Sequence, residues 1–154
     1  MANVKPIPDG YHSVTPYLII KGAGNAIDFY KKAFGATELF RMDHEGKVGH
    51  AEIKIGDSPI MLADESPEMG SKSPTTLGGT PVSIMIYVED VDTIFKRAIA
   101  AGGEQQKAVQ DQFYGDRSGT LKDPFGHVWH VATHKEDVSP DEMEKRMAAG
   151  GHGG

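Results

Sequence analysis

The sequence contains no cysteine in its 154 residues. This absence excludes disulfide bonds, thiolate metal sites and cysteine nucleophiles. Any transition metal would have to be bound by His, Asp or Glu side chains, and seven His residues are present. The composition therefore restricts both the chemistry of a metal site and the choice of a nucleophile.

Positive charge is scarce relative to negative charge. The 16 Lys and Arg residues are outnumbered by 22 Asp and Glu residues, which gives a formal net charge of −6 at pH 7. An acidic surface without a clustered basic stripe repels phosphate backbones, so we expect no nucleic-acid partner. No Ser-His-Asp order, phosphate-binding loop or dinucleotide glycine fingerprint is visible, which argues against hydrolase and nucleotide-binding functions.

Long apolar segments are missing as well. The longest apolar run covers residues 82–88 and their flanks, far short of the roughly 20 residues that cross a bilayer. Residues 1–9 contain no apolar core of the kind found in signal peptides. We therefore expect no membrane association and a cytoplasmic location.

The sequence does contain a repeated order of elements. Residues 13–20 are rich in β-formers, a helix is predicted over residues 25–34, and Gly35 ends it. Three strands are predicted next, over residues 37–42, 48–55 and 59–63. The order returns about 67 residues later, with a strand at 82–88, a helix at 91–101, a stop at Gly102 and Gly103, and strands at 107–112, 119–122 and 128–133.

This repetition predicts an α+β fold in which two βαβββ modules, residues 11–65 and 81–137, form a single domain. A plain α+β sandwich without duplication is the alternative. The remaining segments are predicted as an N-terminal arm at 1–10, a Ser-, Pro- and Gly-rich linker at 65–80, a C-terminal helix at 138–148 with Ser139 as its N-cap, and a disordered tail at 149–154.

Three segments resemble a known family: TPYLIIKGAGNAIDFYKKAFGA, GHAEIKIGDSPIMLADE and FYGDRSGTLKDPFGHVWHVATHKEDVSPDEMEKR. They are similar to the PhnB-like branch of the vicinal-oxygen-chelate superfamily, which includes glyoxalases, bleomycin-resistance proteins and extradiol dioxygenases. The resemblance covers residues 11–147. It implies curved mixed sheets that form a polar cup for a small molecule, and a homodimer in which the cup is completed within or between subunits.

The resemblance also implies where a metal would bind. Enzymes of the superfamily take ligands from the first and last strands of each module, and by position these are Thr15, Met61, Ser83 and His130. Only His130 is a good ligand for a borderline divalent ion, so the usual set is broken. We therefore expect no resident catalytic metal, and Zn, Fe, Mn and Ni are the candidates if one is bound.

Two further polar residues could compensate for the broken set. Polar and apolar side chains alternate in the third strand of the first module, so His50 and Glu52 point away from the helix. In the last strand the same alternation places Trp129 in the core and His130 in the cup. His50, Glu52 and His130 are thus candidate catalytic residues and candidate metal ligands. Alternatively, His50 hydrogen-bonds a neighbouring strand or a substrate, and Glu52 pairs with a Lys or Arg. His134, at the end of the last strand, is interpreted as solvated or capping.

Aromatic and basic residues supply candidate ligand-binding positions. Residues 113–117 are predicted as a loop in which two rings could stack on a flat ligand while Arg117 binds a carboxylate or phosphate. A structural role, with a bulge at Gly115 and an Asp116–Arg117 pair, is the alternative. With the strand positions included, the candidate ligand-binding residues are Thr15, Tyr17, Met61, Ser83, Phe113, Tyr114 and Arg117.

Two functions remain open at this point. The chain could bind a small aromatic or cationic molecule in a polar cup without a catalytic metal, as bleomycin-resistance relatives do. It could instead be a metal-dependent lyase or dioxygenase-type enzyme that uses His50, Glu52 and His130. The fold does not decide between the two, and the sequence does not identify the ligand.

Overall fold

A computed structural model describes residues 3–150. The chain divides into two compact units, Met1–Gly79 and Thr80–Gly154. Within the described residues, no helix is both long enough and apolar enough to cross a membrane.

The N-terminal unit contains a four-stranded sheet with one long helix packed on it. Its sheet order is β1-β4-β3-β2, with β1 parallel to β4 and the other pairs antiparallel. The elements are β1 (Tyr17–Ile20), α1 (Ala23–Phe34), β2 (Thr37–His44), β3 (Lys47–Ile55), β4 (Ser58–Asp64), a short 3₁₀ helix (Pro67–Met69) and α2 (Pro74–Leu77).

Helix α1 is held at both ends and along one face. The Asp64 carboxylate accepts hydrogen bonds from the backbone N–H groups of Gly22 and Ala23, both at 2.9 Å, and from Val48 at 2.7 Å. This contact supplies acceptors for two N–H groups that have no partner within the helix. Gly35 ends the helix in the left-handed conformation, with φ of 69°. Apolar side chains of α1 pack against the buried side chains of β1, β3 and β4, so this face of the sheet forms the core.

The C-terminal unit repeats this design and adds a helix. Its sheet order is β5-β8-β7-β6, again with one parallel pair, β5 with β8. Asp90 is the N-cap of its main helix and accepts a hydrogen bond from the Thr93 N–H at 3.2 Å. The elements are β5 (Ser83–Tyr87), α3 (Val91–Ala100), β6 (Glu104–Asp111), β7 (Asp116–Lys122), β8 (Val128–His134) and α4 (Pro140–Ala148).

The predicted fold class is confirmed, because strand, helix and three strands occur twice and a helix follows them. The alternation predicted in β3 is also confirmed: its apolar positions are buried, and His50 and Glu52 lie on the other face. Trp129 is fully buried, as predicted, and its indole N–H donates to Asp123 at 2.8 Å. Ser139 caps α4 by accepting a hydrogen bond from the Glu142 N–H at 3.2 Å.

Two strand boundaries next to candidate site residues differ from the predictions. Strand β1 begins at Tyr17 rather than at residue 13, so Thr15 lies outside it. Strand β7 begins at Asp116, which pairs with His134, so Arg117 lies in a strand and not in a loop. The predicted tail extends into residues 151–154, which lie outside the described part of the chain.

The predicted linker at 65–80 is also more ordered than expected. Ser73 is fully buried, and its backbone N–H donates to the Glu65 carboxylate at 2.9 Å. The Thr76 hydroxyl donates to the same carboxylate at 2.7 Å. These donors, the Ser73 N–H above all, lower the pKa of Glu65 to about 2. The carboxylate therefore anchors a segment that has little apolar periodicity to predict its order.

Candidate functional site

The face of the N-terminal sheet opposite α1 carries the predicted polar residues. Strand register places Tyr17 beside Met61, Met61 beside Glu52, and Glu52 beside Phe40, so one row of side chains crosses all four strands. His50 follows two residues from Glu52 on β3 and therefore lies on the same face. We call these five residues, Tyr17, Phe40, His50, Glu52 and Met61, the open face.

A chain of hydrogen bonds connects four side chains on and beside the open face. The Tyr17 hydroxyl lies 2.8 Å from His50 Nδ1, and His50 Nε2 lies 3.0 Å from Glu52 Oε2. The Tyr11 hydroxyl donates to the other carboxylate oxygen, Glu52 Oε1. Both nitrogens of His50 and both oxygens of Glu52 are therefore engaged, which orients the imidazole and the carboxylate.

The proton positions in this chain follow from the carboxylate. An ionised carboxylate only accepts hydrogen bonds, so His50 Nε2 must carry a proton. In a neutral imidazole the other nitrogen, Nδ1, is then an acceptor, and the Tyr17 hydroxyl donates to it. The Tyr17 and His50 ring centroids are 5.5 Å apart, and Phe40 lies 6.1 Å from His50 on the other side. The imidazole is thus held between two rings and one carboxylate.

Solvent exposure differs among the residues of this hydrogen-bond chain. The side chains of His50 and Glu52 are 24% and 19% exposed, whereas Tyr17 is 48% exposed. Phe40 is 49% exposed. The arrangement leaves a phenol and an aromatic ring at the surface, with an imidazole and a carboxylate behind the phenol.

His130 occupies a different environment in the C-terminal unit. Its Nδ1 lies 2.9 Å from the Thr120 hydroxyl, and its Nε2 lies 3.0 Å from the Ser83 hydroxyl. Burial, with a smaller contribution from the charge of Lys107, lowers the pKa of His130. The imidazole is therefore neutral at pH 7, and its partners are hydroxyl groups rather than a carboxylate.

A second polar cluster in the C-terminal unit was missed by the sequence analysis. Asp116, only 5% exposed, accepts hydrogen bonds from the Tyr87 hydroxyl at 2.9 Å and from His134 Nδ1 at 2.7 Å. The other His134 nitrogen lies 2.7 Å from Asp137. The hydrogen bonds to Asp116 and then to Asp137 raise the pKa of His134, and the bond to Asp116 raises that of Tyr87. His134 is half exposed, in keeping with the expectation that it is solvated, but the two carboxylates that hold it were not predicted.

The predicted loop residues have structural partners. Phe113 and Tyr114 lie in the turn between β6 and β7, with ring centroids 5.3 Å apart. Arg117 donates to both oxygens of Asp92 on α3, at 2.9 and 3.0 Å, and to Asp111 at 3.3 Å. These bonds, those to Asp92 above all, raise the pKa of Arg117 further. Arg117 thus has a structural role, but its partners are Asp92 and Asp111, whereas the predicted partner Asp116 pairs with Tyr87 and His134.

The N-terminal unit also contains a cavity of 420 Å³ beside the start of α1. None of the open-face residues lines it. The acids in its lining have partners inside the unit, because Asp64 accepts the three backbone N–H groups described above and Glu65 accepts Ser73 and Thr76. The candidate site is therefore an exposed sheet surface and not this cavity.

Comparison with known proteins agrees with the fold. A family model described as the glyoxalase/bleomycin resistance protein/dioxygenase superfamily matches residues 12–131. The chain belongs to this superfamily. An uncharacterized protein of Mycobacterium bovis is 44% identical over 98% of this chain and 98% of its own length.

Solved structures of other proteins share the fold. TioX from Micromonospora sp. ML1 has a TM-score of 0.64 and 24% identity, over 83% of this chain and all of its own. A PhnB protein from Bacillus cereus has a TM-score of 0.60 and 21% identity, over 79% of this chain and 99% of its own. At these identities the likeness establishes the fold. One of these neighbours is a PhnB protein, in keeping with the PhnB-like branch that the sequence resembles.

The candidate metal ligands His50, Glu52 and His130 do not form a metal site within either unit. A catalytic zinc or iron site needs about three protein ligands. The N-terminal unit offers His50 and Glu52, and the C-terminal unit offers His130; in both units, the atoms that would bind a metal already have protein partners. Among residues 3–150, no three His, Asp or Glu side chains are grouped to hold a metal ion.

The remaining ligand positions are poor metal donors with local roles. Thr15 donates to the His12 carbonyl oxygen at 3.4 Å and lies outside β1. Met61 lies between Tyr17 and Glu52 in the open-face row. Ser83 is a partner of His130. Tyr11 is a site residue that the sequence analysis missed, because it precedes β1 and belongs to no periodic element.

Proposed function

We propose that this protein binds a small organic molecule on the open face of the N-terminal unit and does so without a resident catalytic metal. The observation that carries the proposal is the hydrogen-bond chain Tyr17–His50–Glu52–Tyr11 beside the exposed ring of Phe40. Polar side chains turned to one surface cost stability unless they are used or satisfied. Here they are satisfied by one another, and the half-exposed Tyr17 hydroxyl, whose proton is donated to His50, can still accept a hydrogen bond from a ligand.

The chemistry of the open face indicates the class of ligand. Tyr17 and Phe40 supply ring surface on which a flat molecule can stack. The Glu52 carboxylate and the net charge of −6 favour a ligand that is neutral or positively charged. We therefore propose a flat, aromatic or cationic small molecule as the ligand class.

A fluorescent planar cation, proflavine, is a suitable probe for this surface. We expect fluorescence anisotropy to show binding that weakens at least about tenfold, or about 1.4 kcal/mol, in Phe40→Ala and Glu52→Gln. The matched control is His44→Gln, because the His44 side chain is 81% exposed and lies at the end of β2, outside the open face. Equal affinity in all four proteins would contradict the proposed location.

Metal content tests the second half of the proposal. Elemental analysis of protein purified without added metal should give well below one equivalent of Zn, Fe, Mn or Ni per chain. About one equivalent, lost in His50→Gln or in His130→Ala, would contradict the proposal and favour the metal-dependent lyase or dioxygenase-type enzyme.

We also propose that the protein is a cytoplasmic homodimer. Strand β2 is the outer strand of its sheet and is exposed along all eight residues. Leu39 and Met42 are each about half exposed on it. Natural proteins usually cover such an edge, and a second copy of the chain would do so.

A further inference from the structure

We propose that Tyr17, His50 and Glu52 form a proton relay that needs no metal and ends on the exposed Tyr17 phenol. In this relay Tyr17 is the group that exchanges a proton with a molecule bound on the open face. The inference rests on the proposed function for where the ligand lies, but the reactivity of Tyr17 is testable without any ligand.

The geometry matches the requirements for an activated hydroxyl. A nucleophile or base is recognised by a hydrogen bond of about 2.6 to 3.2 Å to a base that a third group orients. Tyr17 and His50 are 2.8 Å apart, and His50 and Glu52 are 3.0 Å apart. The order is therefore hydroxyl, imidazole, carboxylate, with the hydroxyl at the surface and the carboxylate innermost.

Two neighbouring residues fix the inner end of the relay. The Tyr11 hydroxyl occupies Glu52 Oε1, which leaves Oε2 for His50. Because the carboxylate cannot donate, it holds the imidazole in the tautomer that accepts from Tyr17. Phe40, 6.1 Å from the imidazole, covers the ring from the side of β2. Tyr11 and Phe40 are thus positioning residues, and Tyr17 is the reacting group.

The proton that leaves the bound molecule is accounted for by Tyr17, His50 and Glu52. When Tyr17 takes a proton from a bound molecule, its own hydroxyl proton moves to His50 Nδ1. The imidazole becomes an imidazolium, which the Glu52 carboxylate stabilises, and the bound molecule becomes an anion. Reversal returns the proton through Tyr17 to the same or another atom of that molecule. The reaction class is therefore proton transfer, such as enolisation or isomerisation of a flat, neutral carbonyl compound, with no oxidant or reductant.

Tyr87 in the C-terminal unit serves as an internal reference for the reactivity of Tyr17. Tyr87 is 62% exposed, and its hydroxyl also donates to a side chain, but the acceptor is the Asp116 carboxylate. This bond raises the pKa of Tyr87, so its phenol stays protonated. Tyr17 and Tyr87 are thus two exposed phenols with different hydrogen-bond partners, an imidazole in one and a carboxylate in the other.

Labelling with an aryl sulfonyl fluoride at neutral pH tests the inference. The phenol oxygen attacks sulfur, fluoride leaves, and His50 takes the phenol proton, which gives a stable sulfonate ester. Peptide mapping by mass spectrometry measures the rate at each tyrosine of the whole protein. We expect Tyr17 to react at least ten times faster than Tyr87. In His50→Gln the Tyr17 rate should fall to that of Tyr87, in Glu52→Gln it should fall partly, and in His44→Gln it should stay unchanged.

Two results would overturn the relay: a Tyr17 rate no faster than that of Tyr87 in the wild type, or equal Tyr17 rates in the wild type and in His50→Gln. The first comparison needs no variant and so does not depend on whether His50→Gln folds. Failure of the relay is distinguishable from failure of the proposed function. If Tyr17 labels as expected while proflavine binding is unchanged in Phe40→Ala and Glu52→Gln, the relay holds and the ligand location is wrong.

Discussion

Replacement of Gly115 by Ala tests how the C-terminal unit holds the turn that precedes its buried carboxylate, Asp116. Gly115 has φ of +108°, and a Cβ atom there would lie 2.3 Å from the backbone oxygen of Glu136. The Gly115 carbonyl oxygen accepts hydrogen bonds from the N–H groups of Lys135 and Glu136, at 2.9 and 3.1 Å. The added methyl group would push apart the segments that these two bonds join.

The magnitude follows from two costs. An L-residue at this φ costs roughly 1–2 kcal/mol. Relief of the backbone clash requires the two segments to separate by about 1 Å, which weakens two hydrogen bonds worth about 1 kcal/mol each. We therefore expect Gly115→Ala to lower the free energy of unfolding by about 3–4 kcal/mol.

Gly102→Ala is the matched control in the same unit. Gly102 has φ of +123°, and a Cβ atom there would meet only the Pro124 side chain, at 3.4 Å. Gly102→Ala should therefore cost only the roughly 1–2 kcal/mol of an L-residue at positive φ, because there is no backbone clash. Urea unfolding followed by the fluorescence of Trp129, the only Trp and fully buried in this unit, gives both values. Equal destabilisation of the two variants would refute the argument from the clash.

Two other predictions concern the pH dependence of stability and the oligomeric state. The pKa of His134 is raised above its ordinary value of 6.5, so the stability from its bonds to Asp116 and Asp137 is fully present below pH 6.5 and is lost as the pH rises through the raised pKa. As the pH rises above 6.5, the urea concentration at the unfolding midpoint should fall in the wild type and stay constant in His134→Gln. If the midpoint depends on pH equally in both proteins, His134 does not have this role. Light scattering should give twice the chain mass of 16.6 kDa, and a value of 16.6 kDa at micromolar concentration would contradict the homodimer.

Local periodicity was sufficient to predict the architecture. The alternation in β3 and the alternation of Trp129 with His130 in β8 each identified which face packs on a helix, and burial confirms both. Glycine after the first helix marked its end, because the left-handed conformation at Gly35 is readily adopted only by glycine. Such signals act over a few residues and are therefore visible in the sequence.

The partners of the site residues could not be predicted in this way. Tyr11 meets Glu52 across 41 positions of the chain, and Tyr87 meets Asp116 across 29. These pairs depend on strand register and on the path of a segment before β1, and neither leaves a local pattern. For the same reason Arg117 was predicted at a pocket mouth, although its ion pair with Asp92 is 25 positions away.

The contrast between His50 and His130 supports the N-terminal unit as the location of the proposed proton relay. Both histidines lie on the polar face of a β-sheet of the same order, but their partners differ. His130 is paired with two hydroxyls, and its lowered pKa keeps it neutral, so an imidazolium formed there would have no carboxylate partner. His50 has Glu52 on one side and an exposed phenol on the other. Of the two histidines, only His50 has a carboxylate beside it that would stabilise the imidazolium formed when the ring takes up a proton. The two sheets have the same strand order but carry chemically different polar faces.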